Sequence, residues 1–127
     1  MKRTLIALAL AALPGVAVAQ PPAAGTTHTF IDPVYTGTVF CDTLEQVREI
    51  ATAEKPDEVY RQYLYAKNER NEPVCLAIVP TGVVSEVEPL GVMQRDGRHF
   101  NAWAVKVEVG GVVAYGLYLE QFQMVIA

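Results

Sequence analysis

MQRDGRHFNAWAVKVEVGGVVAYGLYLE, residues 93–120, contains two residue pairs suited to tight turns, Asp96-Gly97 and Gly110-Gly111, with an alternating segment, residues 98–109, strung between them. Both pairs tolerate the positive φ that two-residue hairpin loops demand at their central positions. The period of two along the flanking segments is that of strands with one face buried. The stretch therefore reads as a β-meander, and extending the same pattern gives strands over 74–79, 83–95, 98–109 and 112–119, with a fifth expected at 122–126.

Two-residue loops also set the register, because residues directly opposite each other share a face. Around Gly110-Gly111 the expected pairs are Val109 with Val112, Val107 with Ala114, Val105 with Gly116 and Trp103 with Tyr118. Around Asp96-Gly97 they are Leu90 with Trp103 and Val92 with Asn101. Trp103 thus becomes the centre of an apolar face, which is the expected core. The opposite face carries Met93, Phe100, Ala102, Ala104, Tyr115, Leu117 and Leu119 beside Lys106 and Glu108, too apolar a set to stand in water. Either the two helices expected between Cys41 and Cys75 pack there or part of it is an exposed binding surface.

Moving toward the N-terminus, the pattern becomes helical. Thr38–Cys41 is a short β-prone run that meets a strong helix start, with Asp42 and Glu45, or Thr43 and Gln46, at capping-box spacing. Leu44, Val47, Ile50 and Ala51 form one apolar stripe, so a helix is expected over about 43–54. Pro56 suits a first helical turn, and Asp57 and Glu58 complement the helix dipole. A second helix is expected from Pro56 to about Asn68, with Val59, Tyr60, Tyr63 and Leu64 on its apolar side; NERNEP, 68–73, is a loop. Residues 20–37 begin with a Pro-, Gly- and Thr-rich run lacking apolar periodicity, and are expected to be a flexible leader.

The first 19 residues set the compartment. Lys2 and Arg3 precede an apolar run that ends in Ala17-Val18-Ala19, the pattern of a secretory signal peptide and not of a spanning helix. Cleavage after Ala19 leaves 108 of the 127 residues, enough for one domain, which is expected over 38–127 behind the leader. It also removes two of ten basic residues against 14 acidic ones, so the net charge moves from −4 to −6. Phosphate backbones and anionic lipid are recognised by clustered Lys and Arg. Nucleic acid is therefore not an expected partner, and neither is membrane insertion after signal cleavage.

VSEVEPLGVMQRDGRHFNAWAVKVEVGGVVAYGLYLE, residues 84–120, resembles the meander of bacterial SH3-like small barrels: a Glu-Val strand, a polar hairpin, a strand carrying Trp, and a return ending in aromatic-Gly-x-aromatic-Leu. With the signal peptide, VFCDT (39–43) plus a helix, and EPVC (72–75), the chain is similar to small uncharacterised exported proteins of proteobacteria. The resemblance implies an exported protein and an SH3-like sheet; it implies no activity. The helical segment between Cys41 and Cys75 departs from the SH3-like pattern.

Few residues look chemical. Cys41 precedes a helix N-terminus, where the dipole favours a thiolate. An exported chain with two cysteines usually joins them, however, and a catalytic thiol would want a histidine base, for which only His28 and His99 exist. A Cys41–Cys75 disulfide is expected, stapling the helix start to the first strand of the meander. No C-x-x-C motif is present and the two histidines do not form a ligand set, so no metal or other cofactor is expected. Ser85 stands in a strand and not in a nucleophile elbow. Glu86 and Glu88 share a strand face, the arrangement of a solvated side more often than of an acid–base pair. An aromatic set remains, and rings with polar tips line peptide and glycan grooves. The ligand-binding candidates are Tyr60, Tyr63, Phe100, Trp103, Tyr115, Leu117 and Tyr118.

The expectation is a small α+β domain, an antiparallel sheet or SH3-like barrel with two short N-terminal helices. It is exported to the periplasm or secreted, and serves as a non-catalytic binding or accessory module for a peptide, glycan or protein of the cell envelope. The alternatives are a secreted inhibitor or effector that binds a protein partner, or a small thiol or hydrolytic enzyme.

Overall fold

A computed structural model describes residues 21–31 and 37–122. In chain order it comprises β1 (Thr27–Thr29), β2 (Thr38–Cys41), α1 (Leu44–Thr52), α2 (Pro56–Tyr65), β3 (Cys75–Ile78), β4 (Thr81–Arg95), β5 (Arg98–Val109) and β6 (Val112–Phe122). All strands join one antiparallel sheet in the order β1-β4-β5-β6-β2-β3. The chain is therefore an α+β domain with the helices ahead of the main meander. The expected signal peptide, 1–19, and all of the expected fifth strand except Phe122, which ends β6, lie outside the described residues.

The hairpins form as their turn residues dictate. Asp96 and Gly97 both take positive φ, as do Gly110 and Gly111, and the loops have two residues each. The β5–β6 register follows without interruption: Val107 faces Ala114, Val105 faces Gly116 and Trp103 faces Tyr118. In the β4–β5 pair, Val92 faces Asn101, but Pro89, not Leu90, faces Trp103. An extra residue at Leu90 shifts the register between Pro89 and Gly91, and a second shift lies between Val84 and Glu86. Bulges and a proline interrupt a strand whose far side has no strand pairing beyond Val84 among the described residues, and so blunt it as a template for pairing.

Both sheet faces are buried, and the balance between them differs from expectation. The larger core forms on the face opposite Trp103, where Met93, Phe100, Ala102, Ala104, Leu117 and Leu119 meet Val47, Ile50 and Ala51 of α1 and the Cys41–Cys75 pair. The Thr43–Gln46 capping box starts α1, with the Thr43 N–H donating to the Gln46 side chain at 2.9 Å. Burying Val47 and Ile50 contributes about 1.5–3 kcal/mol each, well above what a nine-residue helix gains from propensity alone. On the Trp103 face the buried set is Phe30, Phe40, Val84, Val105 and Val107. Trp103 itself is only half-buried, so it is not the centre of the core.

The leader expected over 20–37 is not uniformly loose. Thr27–Thr29 pairs with Thr81–Val83, the Thr29 and Thr81 hydroxyls lie 2.7 Å apart, and the Phe30 side chain is fully buried. A three-residue strand with a single apolar anchor has too short a pattern to register as a period. The second helix also ends at Tyr65, three residues before Asn68, where the Ala66 N–H closes on the Gln62 carbonyl. Asn68 instead organises the following loop: its side-chain oxygen accepts from the backbone N–H groups of Arg70 and Glu72.

Candidate functional site

The second helix is the element that leaves a site open. Pro56 at its first turn and Asp57 and Glu58 behind it start the helix without a side-chain cap from Lys55. Val59, Tyr60 and Tyr63 rest on the edge of the larger core, yet no residue of α2 is fully buried. It packs against α1 and the short outer strand β3. The Tyr60 hydroxyl accepts the Ala77 backbone N–H at 3.2 Å, which covers a donor on the outer side of β3. That bond tethers the helix at mid-length and takes one edge donor of β3 out of reach of an added strand.

Beside the tether lies a cleft of about 440 Å³ between α2 and the β2–β3 end of the sheet. Gly37, Val39 and Ala77 form the sheet side, and Tyr60, Leu64 and Tyr65 the helix side. Gly37 approaches β3 so closely that an added Cβ would stand 2.9 Å from the Ala77 carbonyl carbon and the Ile78 nitrogen. Arg95, from the far end of β4, reaches in beneath the helix with a side chain only 8% exposed, its Nε 3.7 Å from an Asp57 carboxylate oxygen. Arg61 stands exposed at the rim. Apolar and aromatic walls with a few placed polar groups are the composition of small-ligand sites.

The structure does not gather the sequence-derived candidates into one groove. Tyr60 lines the cleft. Tyr63 sits one turn on and donates its hydroxyl to Glu49 of α1, which raises its pKa. Phe100 and Leu117 belong to the larger core, at 0% and 2% exposure, and present no binding surface. Tyr115 is half-buried against that core and lines a smaller hollow with Glu86, Glu88 and Lys106. Trp103 and Tyr118 lie on the other face with ring centroids 5.8 Å apart, and His28 meets Tyr118 edge-on. Burial, with Glu120 adding to it, raises the pKa of Tyr118.

Arg61, Leu64, Tyr65 and Arg95 were not among the candidates. Leu64 was visible as part of the α2 stripe, but Arg95 reaches the cleft only through tertiary packing, and no local pattern marks it.

The cysteines, Ser85, Glu86 and Glu88 all have partners in the fold. The Cys41 and Cys75 sulfurs are joined, and their residues face each other across the β2–β3 ladder. Arg48 donates to Glu88 from Nε and Nη2, at 2.8 and 2.6 Å, while its Nη1 reaches Glu45, and the bonds to Glu88 keep that carboxyl below the usual glutamate range. Glu86 pairs with Lys106 at 3.2 Å, raising the lysine pKa. The Ser85 hydroxyl donates to the Lys106 carbonyl at 3.2 Å. Among the described residues there is no cluster of His, Cys, Asp or Glu of metal-binding size, and no helix is long and apolar enough to cross a membrane. No protein-family model, curated protein or solved structure matches the chain.

Proposed function

We propose that this protein is an exported, non-catalytic binding or accessory module of the cell envelope, acting in the periplasm or outside the cell. The observation that carries the reading is the cleft beside α2: a helix tethered by Tyr60 leaves Leu64 and Tyr65 facing an open hollow instead of a packed core. The disulfide supports an oxidising compartment. The non-catalytic part is supported by the joined cysteines and by Glu88, whose ionised carboxylate is committed to Arg48 and so is a poor proton donor.

The test uses Tyr65→Ala. Tyr65 is 75% exposed at the helix end, so its removal leaves folding intact while stripping one wall of the cleft. The exported chain and this variant would be immobilised and exposed to the envelope fraction of the producing cells. A component held by the native chain and lost with Tyr65→Ala supports the reading. Equal retention by both places binding elsewhere, and no retention by either removes the binding role.

A further inference from the structure

The segment whose composition suggests a leader belongs to the fold almost from its start. Pro22 is buried. The Gly25 N–H donates to the Val84 carbonyl at 2.7 Å, and the Val84 N–H donates to the Thr26 carbonyl at 2.9 Å. Thr27–Thr29 then pairs with β4, and Phe30 is fully buried. Chain termini are where proteolysis concentrates, so the residue ahead of this segment decides whether β1 and Phe30 can be eroded. Cleavage after Ala19 makes that residue Gln20, directly before Pro21 and Pro22. A cut after Ala23 or Ala24 would set Pro21 or Pro22 where the A-x-A pattern has a small residue, and would discard the buried Pro22. An N-terminal glutamine carries an amine and an amide carbon placed to close a five-membered ring. An α-amine has a pKa of about 7.7–8.0, so part of it is unprotonated and nucleophilic at neutral pH. Attack within one residue also has the advantage of an intramolecular reaction.

We propose that Gln20 of the exported protein is a modification site, cyclised to pyroglutamate as a cap on the segment that anchors β1. The α-nitrogen attacks the side-chain Cδ, and the new N–Cδ bond closes a lactam. The Cδ–Nε2 bond breaks, and ammonia leaves with a proton taken from the α-amine. Nothing is oxidised or reduced, and no co-reactant is consumed. The capped chain offers no α-amine for an aminopeptidase to hold, which keeps Pro22, the bonds to Val84 and Phe30 beyond its reach. The inference rests on the exported reading of the chain and makes no use of the cleft.

The test is the intact mass of the exported protein, denatured at harvest, with fragmentation of its N-terminal peptide. The expected species is residues 20–127 lighter by one molecule of ammonia, with the loss placed on Gln20 and no signal in stepwise N-terminal degradation. Gln20→Ala, cut at the same bond, should show no loss of ammonia and should read Ala-Pro-Pro in that degradation. A proline-specific aminopeptidase should remove the first residue of this variant and leave the native chain whole. An open Gln20, a chain starting at any other residue, or a cyclised form absent at harvest that accumulates only on storage would overturn the proposal. A chain still beginning at Met1 would remove the exported reading with it. Retention of an envelope component by a chain with an open Gln20 would leave the binding role standing and remove this inference alone. A capped chain that retains nothing would do the reverse.

Discussion

The rings of Phe30 and Phe40 meet edge to face with centroids 5.4 Å apart, although Phe30 follows β1 at one side of the sheet and Phe40 lies on β2 beyond β4, β5 and β6. A flat sheet spaces strands by about 4.8 Å and would hold β1 and β2 about 19 Å apart. The contact therefore measures how far the sheet has curled, into a half-barrel whose inner face is filled by these rings and by Val84, Val105 and Val107. His28 and Tyr118 extend the cluster, with His28 4.7 Å from Phe30 and edge-on to Tyr118.

Phe30→Ala should therefore behave as a core deletion, although it lies in a segment whose composition suggests a linker. A loss of about 3–5 kcal/mol is expected from urea unfolding of the exported chain. A change within the error of the measurement would mean that the curl is held without Phe30.

Phe40 presses on Gly116, directly opposite it across the β2–β6 ladder, so tightly that an added Cβ would stand 2.7 Å from the ring. Gly116→Ala should cost about 1–3 kcal/mol through overpacking. Combining it with Phe40→Leu should cost less than the sum of the two single changes, because the smaller side chain leaves room for the methyl group. Strict additivity would show that the strain at Gly116 does not involve Phe40.

How much of this was legible depends on the range of the pattern. The meander, the β5–β6 register, the capping box and the disulfide partners were readable because turn residues, alternation and compartment are local or compositional signals. The Pro89–Trp103 pairing was not, since one extra residue at Leu90 leaves the alternation looking regular on both sides while changing what faces Trp103. The placing of the main core on the Trp103 face failed for a related reason: with both faces apolar, periodicity cannot say which is buried more deeply, although the apolar excess on the second face did mark it for cover by the helices. The binding candidates scattered for the same cause, Phe100 and Leu117 going under α1 while Trp103 and Tyr118 went to the other side. Arg95 was invisible because its role depends on where α2 lands.

Leu117 and Tyr115 separate the two readings of the helix-covered face. Leu117→Ala should destabilise by about 2–5 kcal/mol, since the side chain is enclosed between the sheet and α1. Tyr115→Ala, on a half-buried residue at the core margin, should cost less than Leu117→Ala in the same denaturation experiment. The reverse ranking would put the centre of the core nearer the Tyr115 end of β6.

The disulfide joins residues 34 apart and holds the two helices between its ends. Closing a loop of that length removes unfolded-state entropy equivalent to about 3–4 kcal/mol. The native protein, denatured without reductant, should take up no thiol-alkylating reagent by intact mass, and should take up two equivalents after reduction. The Cys41→Ala, Cys75→Ala double variant should lose stability on the scale of the loop entropy. Uptake before reduction would show that the cysteines are not joined in the exported protein.

Glu88 gives the fold an acid-sensitive tie. Arg48 on α1 forks onto the Glu88 carboxylate of β4, and those hydrogen bonds hold the Glu88 pKa below its unfolded value. A group with a depressed folded pKa contributes fully above the unfolded pKa, and the contribution is lost as pH falls through the folded one. The native chain should therefore lose more stability on acidification through and below the usual glutamate range than Glu88→Gln does. The difference between the two proteins isolates this carboxylate from the others that titrate in the same window. Both partners are partly solvated, so molar salt should narrow the gap at neutral pH. Parallel pH profiles for the native chain and Glu88→Gln would show that the Arg48 fork contributes nothing that depends on the charge of Glu88.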